Sequence, residues 1–195
     1  MLKNQVIRIQ IVKLGGNNRW SVSNIRQWLN SNGAAGSWWS AQHEYDAPPT
    51  SRNIYNGSDA DAAYADAPGF LAGFSANVLQ HFTDITNIIA LCTADGGGSE
   101  ETVDKVFLPS YTEIGFGSNN KIAEGSHLSV RYPDDNSRIK RIADGIYSDG
   151  IYWTRSPYTV IESSLVFCVL ASGVSSDSSI MAFSGHGIAP IIVLH

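Results

Sequence analysis

From Ser156 to His195 the chain has no Lys and no Arg, and after Asn136 it has no Asn. The first 136 residues are rich in Asn, so this is a shift in composition along the chain and not a property of the whole. Small, apolar and aromatic residues stand in their place: Tyr158, Val160, Ile161, Leu165, Phe167, Val169, Ile180, Met181, Phe183 and His186. They alternate with Ser and Gly, and Glu162 and Asp177 are the only acids among them. Such a stretch is either a set of core strands or an exposed face built for contact.

Charge is scarce throughout. Charged residues make up 16% of the 195, and the formal net charge is -5. That balance argues against a nucleic-acid partner, and none is expected, because phosphate binding draws on clustered Lys and Arg. Arg131, Arg138, Lys140 and Arg141 form the one compact basic group, and with Asp134 and Asp135 among them they read as a solvated surface segment. No apolar run approaches the roughly 18 residues that suggest a membrane span, so no membrane insertion is expected. The first residues, Met1 to Gln5, lack the apolar core of a signal peptide, which implies synthesis in a cytosol without a secretion signal. Two cysteines, Cys92 and Cys168, are too few for a disulfide framework. Both sit in apolar runs, which predicts buried free thiols. The length fits one domain with a proper core.

Catalytic and metal motifs are also missing. There is no GxSxG elbow, and Gly96-Gly97-Gly98 lacks the Lys-Ser/Thr of a phosphate loop, so it reads as a turn. His43-Glu44 lacks the second His of a zinc helix, and His43, His81, His127, His186 and His195 show no metal spacing. No catalytic metal or cofactor is expected, and the chain is not expected to be an enzyme. Calcium is the one open alternative, since carboxylates and carbonyls suffice to bind it. Asp59, Asp61 and Asp66 form one acidic loop, and Asp95, Glu100, Glu101 and Asp104 another. Neither has EF-hand spacing, and a solvated loop explains both.

What remains is a readable pattern. Val6 to Val12 alternates at period two, as a half-buried strand does, and Gly15 to Asn18 ends it. Ser23 is a candidate N-cap for a helix carrying Ile25, Trp28 and Leu29, with Gly33 as its stop. Residues 37–66 form a long aromatic and polar loop without periodicity. A second helix is expected from Ser75 with Val78, Leu79 and Phe82 inward. A strand follows over Ile85 to Cys92, then an acidic turn over Asp95 to Asp104 and a short strand over Val106 to Leu108. Ser110 and Glu113 have capping-box spacing. Past Gly145 strands are expected over Ile151 to Thr154, Leu165 to Ala171, Ile180 to Phe183 and Ile188 to Leu194. The expected class is α+β, with two main helices in the first half and an antiparallel β unit in the second. Expected core residues are Ile25, Trp28, Leu29, Val78, Leu79, Phe82, Phe107, Leu108, Trp153 and Ile192. Trp38 and Trp39 suit either the core or stacking on a sugar.

Several stretches together resemble a protein family of phages and prophages of gut bacteria. They are Asn17 to Trp20 with SNIRQWLNS (Ser23 to Ser31), WWSAQHEYDAPP (Trp38 to Pro49) and PGFLAGFS (Pro68 to Ser75). TADGGGSEETVDKVFLPSYTEIG (Thr93 to Gly115), AEGS (Ala123 to Ser126), YWTRSP (Tyr152 to Pro157) and GIAP (Gly187 to Pro190) complete the set. The W-x-R-S-P and G-[IV]-[RA]-P strands are similar to the closing strands of C-type-lectin-like domains. Phages use that fold in receptor-binding proteins, including the variable proteins of diversity-generating retroelements. Many relatives carry Arg where this chain has Ala189, so any contact of that Arg is lost. No cysteine pair matches the formylglycine-generating enzymes, another use of the fold. The first shared motif lies close to residue 1, which leaves upstream strands or a tail-attachment segment as an open alternative.

The resemblance implies a single C-type-lectin-like domain over residues 1–195, displayed on a virion. Its last third would face a host cell-surface protein or glycan. Retroelement mutagenesis acts on adenines, most strongly in AAC codons. From Tyr158 to His186 every residue except Glu162 and Met181 is a product of such codons. An ordinary Ser-rich sheet has the same composition, so both readings stay open. The residues expected to project as one ligand-binding patch are Tyr158, Ile161, Phe167, Val169, Asp177, Ile180, Phe183, Ser184 and His186. The alternatives are a virion decoration or tail protein that packs against other virion subunits through this face, or an enzyme with an unrecognised site.

Overall fold

The computed structural model describes residues 5–10, 18–40, 67–119, 121–142, 150–159, 164–176, 180–181 and 185–195. Of residues 5–10, 142, 180, 181 and 185 it describes the backbone alone. The class is α+β, with short helices and several sheets. The helices are α1 (Asn24–Leu29), α2 (Ala76–Leu79) and α3 (Asp135–Arg138). The strands are β1 (Gln5–Gln10), β2 (Ile85–Ala90), β3 (Ser99–Asp104), β4 (Val106–Phe107) and β5 (Arg141–Ile142). They continue with β6 (Tyr152–Pro157), β7 (Leu165–Val169), β8 (Ile180–Met181), β9 (Gly185–Ile188) and β10 (Ile191–Ile192). One sheet has the order β5-β1-β9-β6-β7-β8, and β10-β4 and β2-β3 form two small antiparallel ribbons. In the large sheet β1 runs antiparallel to β9, β9 parallel to β6, and β6 antiparallel to β7.

Local chemistry explains α1. The Ser23 hydroxyl accepts the Arg26 N–H at 3.2 Å, the N-cap its position suggested. Ile25, Trp28 and Leu29 then bury at helical spacing. The helix stops at Asn30, three residues before Gly33, because the Asn30 side chain serves β4. Its Oδ1 accepts the N–H groups of Lys105 and Val106, and its Nδ2 donates to the Val106 carbonyl at 2.8 Å. The expected acidic turn over Asp95 to Asp104 is a turn only in its first half. Gly96, Gly97 and Gly98 have positive φ, and residues from Ser99 onward pair with β2. The reason lies in Asp104, which is 1% exposed and accepts bonds from Trp20, Arg26, Asn87 and Thr102. One carboxylate thereby ties the ribbon to α1 and the turn before it.

The main core joins Trp20, Ile25, Trp28, Leu29, Trp38, Phe82, Leu108 and Trp153 with Val166, Cys168 and Ile188 of the sheet. Trp38 is buried and its indole donates to the Ala67 carbonyl at 2.9 Å, and Trp39 packs partly buried on the same core. A second cluster on the sheet holds Ile114, Tyr132, Tyr152, Val169 and Ala189. Cys92 and Cys168 are buried and free, as expected. Val78 is a correction: α2 is only four residues long and leaves it 43% exposed, while Phe82 reaches the core from beyond the helix end. Leu79 and Ile192 pack half-buried at the core's edge. Ile188 to Leu194 is not one strand; β9 and β10 join different sheets on either side of Ala189-Pro190. The turn residues Gly15 to Asn17 and residues 41–66 lie outside the described residues.

The basic group is also corrected. Arg138 is 6% and Lys140 4% exposed, so two of its four members are interior. Arg138 donates to the carbonyls of Gly173 and Ile114 and pairs with Asp135. This close approach needs Gly173: it has φ +83, and a Cβ there would lie 1.9 Å from the Asp135 carbonyl oxygen. Lys140 donates to the Ser137 carbonyl at 2.8 Å and lies over the Tyr132 ring. Burial, then the charge of Arg131, lowers its pKa from 10.5 to about 8. The unfolded chain therefore holds a proton that the folded chain releases, and Lys140's contribution to stability rises from pH 8 upward. Buried tyrosines Tyr132 and Tyr152 and the Cys168 thiol titrate upward and act in the opposite sense at higher pH. The clean measurement is the difference between wild type and Lys140→Met. The variant should be the more stable at pH 7, and its advantage should shrink by about 1 kcal/mol between pH 8 and 9. A constant difference across that range would refute the assignment.

Candidate binding face

Strand β7 splits its residues by alternation. Val166 and Cys168 enter the main core, while Phe167 and Val169 face the other side of the sheet. That side is covered by the segment that follows β4. Its first turn is a reciprocal capping box: the Ser110 hydroxyl accepts the Glu113 N–H at 3.0 Å, and the Glu113 carboxylate accepts the Ser110 N–H at 2.9 Å. The box fixes Tyr111 and Phe116 on either side of Ile114, which is fully buried.

These elements bring four half-buried aromatic rings into one row. Tyr158 meets Phe167 at 5.6 Å between centroids, Phe167 meets Tyr111 at 4.6 Å, and Tyr111 meets Phe116 at 5.2 Å. Behind the row the Arg138 guanidinium lies 4.4 Å from the Phe116 centroid.

The hairpin that carries Tyr158 and Phe167 is held through its backbone. Asn18 donates to the Leu165 carbonyl at 2.7 Å, and Asn119 to the Pro157 carbonyl at 2.7 Å. The Thr93 N–H donates to the Thr159 carbonyl at 3.1 Å, and Tyr158 and Leu165 close the strand pair at 2.8 Å. Beneath it lies a buried polar network. Arg155 donates bidentately to Glu113, at 2.6 and 2.8 Å, and also to the carbonyls of Leu108 and Glu124. The Glu124 carboxylate accepts from the Ala90 N–H, the Ser156 hydroxyl and Asn119. Burial raises the Glu124 pKa against those three donors. Arg155, Ser156 and Glu124 are at most 2% exposed, so this carboxylate–serine–arginine set lies inside the fold and braces it.

The nine residues expected to form one patch divide. Tyr158 and Phe167 stand half-buried in the aromatic row. Val169 is fully buried in the second cluster, so it is core and no part of an exposed patch. His186 sits half-buried with its ring 5.0 Å from Trp153. It alternates with Gly187 and shares the face of Ile188, hence the opposite face of the sheet from Phe167. The backbone of Ile180 pairs with Val166 in β8. Ile161, Asp177, Phe183 and Ser184 lie outside the described residues. Tyr111 and Phe116 were missed, because the capping box was read for its helical turn and not for the two aromatics that it orients.

The acidic loop after Gly98 does not gather into a cage. Glu100 pairs with Arg19, and Asp104 with Arg26. Among the described residues no three His, Cys, Asp or Glu side chains come together to hold a metal ion. Asp59, Asp61 and Asp66 lie outside them. No helix among the described residues is long and apolar enough to cross a membrane.

The fold and face thus define an α+β domain with an aromatic row on a braced hairpin. The chain belongs to the DUF6273 family, a domain of unknown function, whose model matches residues 2–195. No curated protein and no solved structure matches it.

Proposed function

We propose that this chain is a non-enzymatic binding domain of the C-type-lectin-like fold, phage-encoded and displayed on a virion, that presents the aromatic row to a ligand on the host surface. The row itself carries the reading: aromatic anchors on a rigid support are what a recognition surface uses. The fold assignment is supported by the pairing of the WTRSP strand with the GIAP segment, Trp153 opposite Ile188, and by β1 lying against β9. Diversification is supported by the way the hairpin is held. Asn18, Asn119 and Thr93 grip carbonyl oxygens, which every residue type supplies, so these ties do not restrict the half-buried side chains Tyr158, Leu165 and Phe167.

The double variant Tyr158→Ala/Phe167→Ala tests this. Attachment to bacterial envelope fractions should fall at least about tenfold while a single cooperative unfolding transition is kept. Undiminished attachment by a folded variant would remove the row from the binding face.

A second reading, a virion subunit that packs against its neighbours, is favoured by the apolar residues near the last strand. Leu194 is 65%, Val78 43% and Val193 37% exposed. Self-association that is lost in Leu194→Asp, with attachment intact, would select it.

A further inference from the structure

We infer that His81 and His195 form a two-histidine site for a transition-metal ion of the zinc, nickel and copper class, a site separate from the aromatic row. Sequence spacing could not show it, because the two residues lie more than a hundred positions apart. The fold makes them cross-strand neighbours. Phe82 and Leu194 form an antiparallel bridge. On either side of it the Thr83 N–H donates to the Val193 carbonyl at 2.9 Å, and the His195 N–H to the His81 carbonyl at 3.1 Å. That register sets His81 directly opposite His195, with both side chains on the face away from Phe82, which is core.

Three observations select a metal ion for this pair. The first is distance. The ring centres are 5.9 Å apart and the rings are tilted by 56°, so they do not lie flat on one another. Zinc binds an imidazole nitrogen at about 2.0–2.1 Å, which puts two ring centres about 5.2 Å apart at a tetrahedral angle and about 6.4 Å at most. Both residues are exposed, which leaves room for the small side-chain rotations that turn the nitrogens to one point. The second is orientation. Thr83 Oγ1 lies 3.3 Å from His195 Nδ1, and the Gln80 side-chain nitrogen 3.5 Å from His81 Nε2. Each neighbour engages one ring nitrogen and leaves the other to an ion, as the outer partners of metal-bound histidines do.

The third is the donor set. Among the described residues no carboxylate meets either ring, and the acid nearest His81 in sequence, Asp84, pairs with Lys105 at 2.9 Å. Two nitrogen donors without oxygen ligands suit ions that seek imidazole and not magnesium or calcium. Two protein ligands leave the remaining positions of a four-coordinate ion to water. The bound ion would clasp the residues after β10 to those after α2.

Calorimetric titration of the untagged full chain with zinc sulfate tests the inference, with magnesium sulfate as the comparison. Zinc should bind saturably and magnesium should not. His81→Ala and His195→Ala should each weaken zinc at least about tenfold, while His127→Ala, at an exposed histidine elsewhere, should leave it unchanged. Melting without metal should give all three variants the midpoint of the wild type, since the replaced side chains are exposed. Zinc should then raise the midpoint of the wild type and of His127→Ala, and not that of the other two. One equivalent of copper(II) should show hyperfine splitting from two nitrogens in its electron paramagnetic resonance spectrum. Absence of saturable zinc binding would overturn the inference, as would zinc binding that both His81→Ala and His195→Ala leave unchanged. Magnesium binding as tight as zinc binding would overturn the imidazole donor set.

Discussion

Arg155→Met should lower the unfolding free energy by about 3–5 kcal/mol, a large share of a typical domain's stability. The guanidinium is fully buried and donates to the Leu108 carbonyl at 2.7 Å, to both oxygens of Glu113 and to the Glu124 carbonyl. Methionine keeps much of the volume and removes every one of those bonds. Glu113, whose side chain is 11% exposed, would then be a buried charge facing no cation. The cost comes mostly from that stranded carboxylate and less from the lost pair, because a buried ion pair gains little over an apolar replacement. The double variant Arg155→Met/Glu113→Gln should accordingly recover a substantial part of the loss. Urea unfolding of both variants decides it: equal destabilisation of single and double variants would mean that the carbonyl bonds, and not the charge, dominate.

Trp28→Ala should cost a similar amount, about 3–5 kcal/mol. The indole is 8% exposed, packs edge-on against Phe70 at 5.3 Å between centroids, and donates to the Pro68 carbonyl at 3.0 Å. It therefore joins α1 to the segment over Pro68 to Phe74, which continues through Phe74 to Phe82 by two further edge-on ring contacts. Truncation opens a cavity and leaves the Pro68 carbonyl short of a donor. Thermal unfolding with an unchanged midpoint would contradict this placement. Trp28→Phe, which keeps the ring and loses only the N–H, should lose less.

Legibility from the sequence followed the range of the interaction involved. The Ser23 cap, the Ser110–Glu113 box and the burial of Ile25, Trp28, Leu29, Phe107, Leu108 and Trp153 were readable, since each rests on spacing within one element. Asn30 ends α1 because β4 lies alongside, and no local rule points to that. Charged residues misled for the same reason: Arg138 and Lys140 look solvated until the Gly173 carbonyl and the Tyr132 ring are placed beside them. At the candidate face, composition singled out Tyr158 and Phe167, but alternation could not say which side of β7 is covered. Val169 shares Phe167's side of β7 but is buried there in the second cluster, and Tyr111 and Phe116 came from a segment about forty to fifty-five residues away in sequence.

Residue pattern alone thus fixes the class, the strand and helix seeds, the free thiols and most of the core, because period, cap and turn chemistry act over a few residues. Assembly fixes the rest: which carboxylates meet arginines, which cations are interior, and which aromatics become neighbours. Those outcomes depend on residues far apart in the chain whose meeting is set by sheet order and by packing, and neither is encoded in any single window of sequence.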